Sequence, residues 1–147
     1  NIAGTGGGAL YLQPLFANNT ASIHRNTFVD NSSATRANTL LFESRLNRPE
    51  VQGNIFVDSD SATQNCGDIE SGSPTQFSNE AFNISDDSSC GAATVVSDGV
   101  SLFTSEAPSS NGGNTKTIAL SATSIAIDAI PLENPLCPAD AVDQRGE

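Results

Sequence analysis

Ile23-His24-Arg25-Asn26-Thr27-Phe28-Val29-Asp30-Asn31 returns 28 residues later as Val51-Gln52-Gly53-Asn54-Ile55-Phe56-Val57-Asp58-Ser59, with Asn, Phe, Val and Asp in matching places. A weaker third copy, Phe82-Asn83-Ile84-Ser85-Asp86, follows after 29 more. Other short apolar runs precede the copies: Ala9-Leu10-Tyr11-Leu12 before the first, Thr39-Leu40-Leu41-Phe42 before the second. Runs of three to six apolar residues parted by Asn, Ser, Gly and Asp are the pattern of strands and turns, and helical periodicity is almost missing. A repeat of this length, made of short strands and polar corners, is solved physically by coiling. Each repeat is one turn, and successive turns stack about 4.8 Å apart as parallel strands.

The expected fold is therefore all-β, a right-handed parallel β-helix (a β-solenoid). About three coils occupy residues 1–95, and residues 96–147 form an irregular C-terminal closing segment of the same domain. Leu10, Ile23, Phe28, Leu40, Val51 and Phe56 are expected to point inward and stack on their equivalents. Asn26, Asn54 and Asn83 recur at one corner, where each amide can bond the turn backbone and the coil above, an Asn ladder. For any one of them an ordinary turn residue is the simpler alternative. Beyond the coils, Gly112-Gly113 breaks the chain. Thr117-Ile118-Ala119-Leu120 and Ser124-Ile125-Ala126-Ile127-Asp128 read as short strands or turns, and residues 131–147 as an extended covering strand or loop.

The 147 residues suit one domain. A formal net charge of -11 repels DNA, RNA and anionic membranes, so a sequence-independent phosphate binder is excluded. Asn, Ser and Thr supply 45 residues, yet 37% of the chain is hydrophobic. That balance reads as a secreted β-rich protein rather than a disordered one. No run approaches the roughly 18 apolar residues of a membrane helix, and no signal peptide or initiator Met opens the chain. A mature or truncated product of something longer is expected. Cys66, Cys90 and Cys137 fit neither a closed disulfide set nor a zinc site, which leaves one bridge and one thiol whose partner lies elsewhere.

Gly6-Gly7-Gly8-Ala9-Leu10, then Asn26-Thr27-Phe28 with Asp30-Asn31-Ser32, resembles the coil motif of bacterial surface β-helix proteins. These are the pectate-lyase-like repeats of secreted adhesins and polymorphic outer-membrane proteins. Asn111-Gly112-Gly113-Asn114-Thr115-Lys116-Thr117-Ile118-Ala119-Leu120, Ser124-Ile125-Ala126-Ile127-Asp128-Ala129, Cys137-Pro138-Ala139 and Asp143-Gln144-Arg145-Gly146 are similar to the module called "choice-of-anchor Q". That module closes a β-helix before a cell-surface anchor. Asn114 and Ile125 stand where the family usually has Pro. The family also usually continues past Asp-Gln-Arg-Gly into a second cysteine strand and an anchor. The resemblance implies a secreted, surface-displayed scaffold and no particular reaction. Cys66 and Cys90 flank the irregular loop that carries the third copy, and the family resembled has a similar pair there. A disulfide between them is expected, with two buried free thiols as the alternative.

β-Helices also host polysaccharide lyases and hydrolases, which need a base beside a calcium cluster or paired carboxylates on neighbouring coils. Arg25 and Asp30 share a coil and Asp58 falls one coil above Asp30, so these are the candidate catalytic acids and base; solvated corner acids are the simpler reading. Asp58, Asp60, Asp86 and Asp87, with Asp68 and Glu70 between, are weak Ca²⁺ candidates, against plain surface acids. His24 is the single histidine, set on a strand, and no Gly-x-Ser-x-Gly elbow occurs. Gly4-Thr5-Gly6-Gly7-Gly8 lacks the Lys and helix of a phosphate loop and reads as a β-helix turn. Asn18, Asn31 and Asn83 head glycosylation sequons by pattern, which chance supplies in so Asn- and Ser-rich a chain.

The reading that follows is a non-enzymatic, extracellular structural or adhesive module of a larger surface protein or filament. The alternative is a carbohydrate-active β-helix. No catalytic residue or obligatory cofactor is assigned. The expected partners are adjoining coils of a longer chain, or further copies stacked head to tail, and a carbohydrate or host-surface ligand. Nucleic acid and membrane insertion are not expected.

Overall fold

Among the described residues twelve short strands follow one another. The computed structural model describes residues 1–13, 21–43, 48–58, 63–69, 77–91, 94–143 and 145–146. A first coil holds β1 (Ile2–Ala3), β2 (Leu10–Leu12), β3 (Ser22–His24) and β4 (Thr27–Val29). A second holds β5 (Ser32–Ser33), β6 (Leu40–Phe42), β7 (Glu50–Gln52) and β8 (Ile55–Val57). The third holds β9 (Cys66–Asp68), β10 (Asn79–Ala81) and β11 (Ile84–Ser85), and β12 (Thr94–Val95) comes after it.

Every ladder between these strands is parallel and joins one coil to the next. The four sheets run β1-β5, β2-β6-β9, β3-β7-β10 and β4-β8-β11-β12. Leu10 pairs with Leu40 and Leu40 with Cys66; Ile23 pairs with Val51 and Val51 with Glu80; Phe28 pairs with Phe56 and Phe56 with Ser85. The fold is a parallel β-helix of about three coils.

The repeat works because equivalent side chains land in one column. Phe28 and Phe56 stack with ring centroids 5.2 Å apart and planes 8° from parallel. Ile23, Leu40, Phe42, Val51, Phe56, Cys66, Phe77 and Cys90 form one buried cluster, against which Leu10, Leu12 and Phe28 pack half-buried. Coil position sets the gradient: Leu40 and Phe56, flanked on both sides, are 0% exposed, whereas their first-coil equivalents are not fully covered. Leu41 faces the opposite way from Leu40 but is also buried, because the Gly6–Gly7 turn lies on it; a Cβ on Gly6 would stand 2.6 Å from Leu41 Cδ2. The glycine-rich stretch is thus a coil turn, with Gly7 N–H and Gly8 N–H donating to Ala37 and Asn38 carbonyls at 2.8 Å each.

One corner is built alike three times. Arg25, Gly53 and Phe82, the residues just before Asn26, Asn54 and Asn83, have φ of 58°, 64° and 56°. A single left-handed residue turns the chain sharply from one strand to the next. Only Gly53 adopts that conformation without steric cost, so the coil stack imposes it on Arg25 and Phe82.

The chain divides into two compact units, Asn1–Ser97 and Asp98–Glu147. The second has a 3₁₀ turn (Gly99–Leu102) and two isolated antiparallel bridges, Ser109 with Thr117 and Phe103 with Leu120. Residues 131–141 form consecutive turns closed by Asn134 N–H to Pro131, Cys137 N–H to Asn134 and Ala141 N–H to Pro138. Of the covering strand or loop expected there, residues 131–141 take the loop form. Prolines fix turn geometry at short intervals, and the Asn134 side chain accepts from Leu136 N–H at 2.9 Å.

Candidate functional site

The polar residues singled out in the sequence gather along the coil corners. Asn54 Oδ1 accepts from Asn26 N–H at 2.9 Å and from its amide at 3.3 Å. Asn83 Oδ1 takes the same two donors from Asn54 at 3.0 and 3.2 Å. Each amide also donates back to the preceding coil, Asn54 to the Ile23 carbonyl and Asn83 to the Val51 carbonyl, both at 2.7 Å. The column therefore has a direction: carbonyl oxygens receive from the earlier coil, and amides reach back to its backbone. Asn54 and Asn83 are fully buried, whereas Asn26 is exposed.

A second polar column lies at the entrance to β6 and β9. Asn38 and Asn65, both buried, lie two residues before β6 and one before β9. The Asn38 amide donates to the Asp58 carboxylate and to the Thr63 carbonyl. The Asn65 amide donates to the Asp86 carboxylate and to Ser85 Oγ. Asp86 also accepts from Asp58 N–H at 2.7 Å. Asp87 accepts from Asn65 N–H at 2.7 Å, and from Ser89 N–H and Ser89 Oγ at 2.8 and 2.6 Å.

Three of the four Ca²⁺ candidates, Asp58, Asp86 and Asp87, are thus brought to one side of the coil and hydrogen-bonded to backbone and Asn groups there. Asp60, with Glu70, lies outside the described residues. Among the described residues no three His, Cys, Asp or Glu side chains cluster as a metal site would require.

The acid–base candidates fare differently. Asp30 sits at the equivalent of Asp58, exposed and with φ of 49°, and Arg25 is exposed at the corner before Asn26. Ser22, His24 and Glu50 do meet: Ser22 Oγ donates to Glu50 at 3.4 Å, and His24 Nε2 lies 3.7 Å from the same carboxylate. A nucleophile triad needs the imidazole between hydroxyl and acid, so that the imidazole takes the hydroxyl proton. Here the acid stands between the other two, and the order cannot activate Ser22.

Cys66 and Cys90 are joined as a disulfide, and Cys137 is free. Asn31 and Asn83, two of the three sequon residues, are buried and could not carry a glycan in this fold, and Asn18 lies outside the described residues. Tyr11 donates to Glu43 at 2.6 Å. That hydrogen bond chiefly, with the carboxylate charge adding to it, holds the Tyr11 phenol above its ordinary pKa. Among the described residues, no helix is long and apolar enough to cross a membrane.

Sequence reading missed the second column. Asn38 and Asn65 stand 27 residues apart while the strands they precede pair at an offset of 26, so Asn65 lies opposite Thr39 and the spacing does not repeat as it does at the first corner. No family model matches the chain, and no curated protein or solved structure gives a significant match. The likeness in residues 111–146 stays a resemblance of sequence.

Proposed function

We propose that this chain is a non-catalytic structural module of an extracellular β-solenoid, whose partner is a further coil laid on the outer edge of its first coil. The observation that carries this reading is the use of the corner acids. Asp58, Asp86 and Asp87 accept hydrogen bonds that tie coil to coil, which is a scaffold role. A disulfide fits an oxidising compartment outside the cytosol, and so does the Asn-, Ser- and Thr-rich composition. Among the described residues the strands of the first coil pair on one side only, and they present outward the same kind of edge that the second coil presents to them. The resemblance to surface β-helix proteins, with its choice-of-anchor-like stretch, points the same way and adds display at a cell surface.

The competing carbohydrate-active reading is tested by incubating purified protein with plant and bacterial polysaccharides and assaying new reducing ends and unsaturated products. The structural reading expects no turnover. Turnover lost in Asp58→Asn or Asp30→Asn would overturn it.

A further inference from the structure

Parallel stacking leaves a donor problem at the last coil. Between the first two coils, Gly7, Gly8 and Ala9 N–H groups donate to carbonyls of Ala37, Asn38 and Thr39. Between the second and third, Asn38 N–H donates to Gln64, and Thr39 and Leu40 N–H groups donate to Asn65. The equivalent donors of the third coil are Gln64, Asn65 and Cys66, and the last two find side-chain acceptors. Asn65 N–H donates to Asp87 at 2.7 Å and Cys66 N–H to Ser89 Oγ at 2.9 Å.

The segment supplying them is a shortened turn. Ile84 of β11 pairs with Thr94 of β12, ten residues on, where other coils advance by 26 to 30. Of the other two strands of the third coil, β11 is covered from the same segment, while β10 is the edge of its sheet with Asn79 and Glu80 exposed. β12 occupies the outer edge of β11, while Gly91, with φ of 57°, lies against the Glu80 carboxylate of β10 and the Phe77 ring. Ser89 and Asp87 hold each other, and Cys90 is bonded to Cys66 at the start of the strand being covered.

We propose that residues 86–91, with β12, are a built end cap that masks the start of β9 and the edge of β11 against strand pairing with a second copy of this chain, and that the Cys66–Cys90 bond is its latch. The inference rests on coil geometry alone and holds whether the module is structural or acts on carbohydrate. It also separates the two partner expectations: a coil can be added at the first coil, while head-to-tail stacking requires the cap to open. An unpaired edge is a template for another β-edge, and here the template is masked by two side-chain acceptors.

The test uses the full chain in three forms: oxidised wild type, Asp87→Ala/Ser89→Ala, and the conservative Asp87→Glu/Ser89→Thr, which keeps a two-oxygen carboxylate at the first place and a hydroxyl at the second. Amide hydrogen exchange is read at Asn65 and Cys66, with Thr39 and Leu40 as internal references, and mass is followed by sedimentation velocity over a concentration series. In the alanine pair, Asn65 and Cys66 should exchange roughly tenfold faster or more, with the reference amides unchanged. Its mass should rise with concentration beyond that of wild type, and the conservative pair should match wild type in both readings. Unchanged rates at Asn65 and Cys66, or unchanged mass in the alanine pair, would overturn the cap. Should the alanine pair lose protection at Thr39 and Leu40 as well, chemically reduced wild type gives the same two readings without substitution. A reduced chain that keeps the oxidised rates and mass would overturn the latch.

Discussion

Asn54→Ala should cost this fold far more than Asn26→Ala, although the two residues occupy the same corner one coil apart. Asn54 is fully buried and makes five contacts: it accepts from Asn26 N–H at 2.9 Å and the Asn26 amide at 3.3 Å, and donates to Ile23, Gln52 and Asn83 at 2.7, 3.1 and 3.2 Å. Truncation removes bonds worth about 1 kcal/mol each and leaves the Ile23 carbonyl without that buried donor, a further penalty of about 1–3 kcal/mol. Over the five bonds the sum is about 6–8 kcal/mol, a large share of the roughly 5–15 kcal/mol that holds a domain folded. Asn26 is exposed, and its amide donates only to His24 and Asn54, at 2.9 and 3.3 Å. Water replaces those bonds, so Asn26→Ala should cost about 1 kcal/mol or less. Urea unfolding followed by far-ultraviolet circular dichroism, with the disulfide intact, measures both. Equal losses for the two variants would refute the directional ladder, because an ordinary turn residue has no reason to depend on its place in the stack.

Phe56→Ala should destabilise by about 3–5 kcal/mol in the same assay, since Phe56 is fully buried and stacked on Phe28; Phe28→Ala, at the half-covered end of the column, should cost less. Gly53→Ala should lower stability by about 1 kcal/mol because φ there is 64°, and Arg25→Gly should shift stability the other way by relieving the same conformation at 58°. The single tyrosine makes phenolate absorbance a clean probe: Tyr11 should titrate above the ordinary phenol value of 10.0, and Glu43→Gln should bring it down. With the folded value above the unfolded one, this contribution to stability is complete below pH 10.0 and is lost as pH rises through the raised value. Alkylation without reductant should label Cys137 alone, and labelling of Cys66 and Cys90 would contradict the bond between them.

The coil was legible because its period is written in residues that nothing else demands. Asn26, Asn54 and Asn83 could each be a turn residue, but only a stack places three at near-equal spacing beside the Phe28 and Phe56 column. The left-handed corner was harder to see, because Arg25 and Phe82 hold a conformation that their own propensities oppose and that Gly53 alone advertises. Asp87 shows the limit of reading acids from sequence. A carboxylate in a polar run offers oxygens equally to a cation or to strand N–H groups, and the choice depends on which chain edge lies beside it. For residues 131–147 the sequence left strand and loop open; at 131–141 Pro131, Pro135 and Pro138 with Asn134 favour successive turns.

The central claim is the parallel, in-register stack, and backbone nuclear Overhauser contacts measured on isotopically labelled protein test it most directly. The stack predicts parallel cross-strand contacts linking Leu10 to Leu40 to Cys66 and Ile23 to Val51 to Glu80 in the same molecule. Antiparallel contacts between these strands, or contacts at another register, would contradict it.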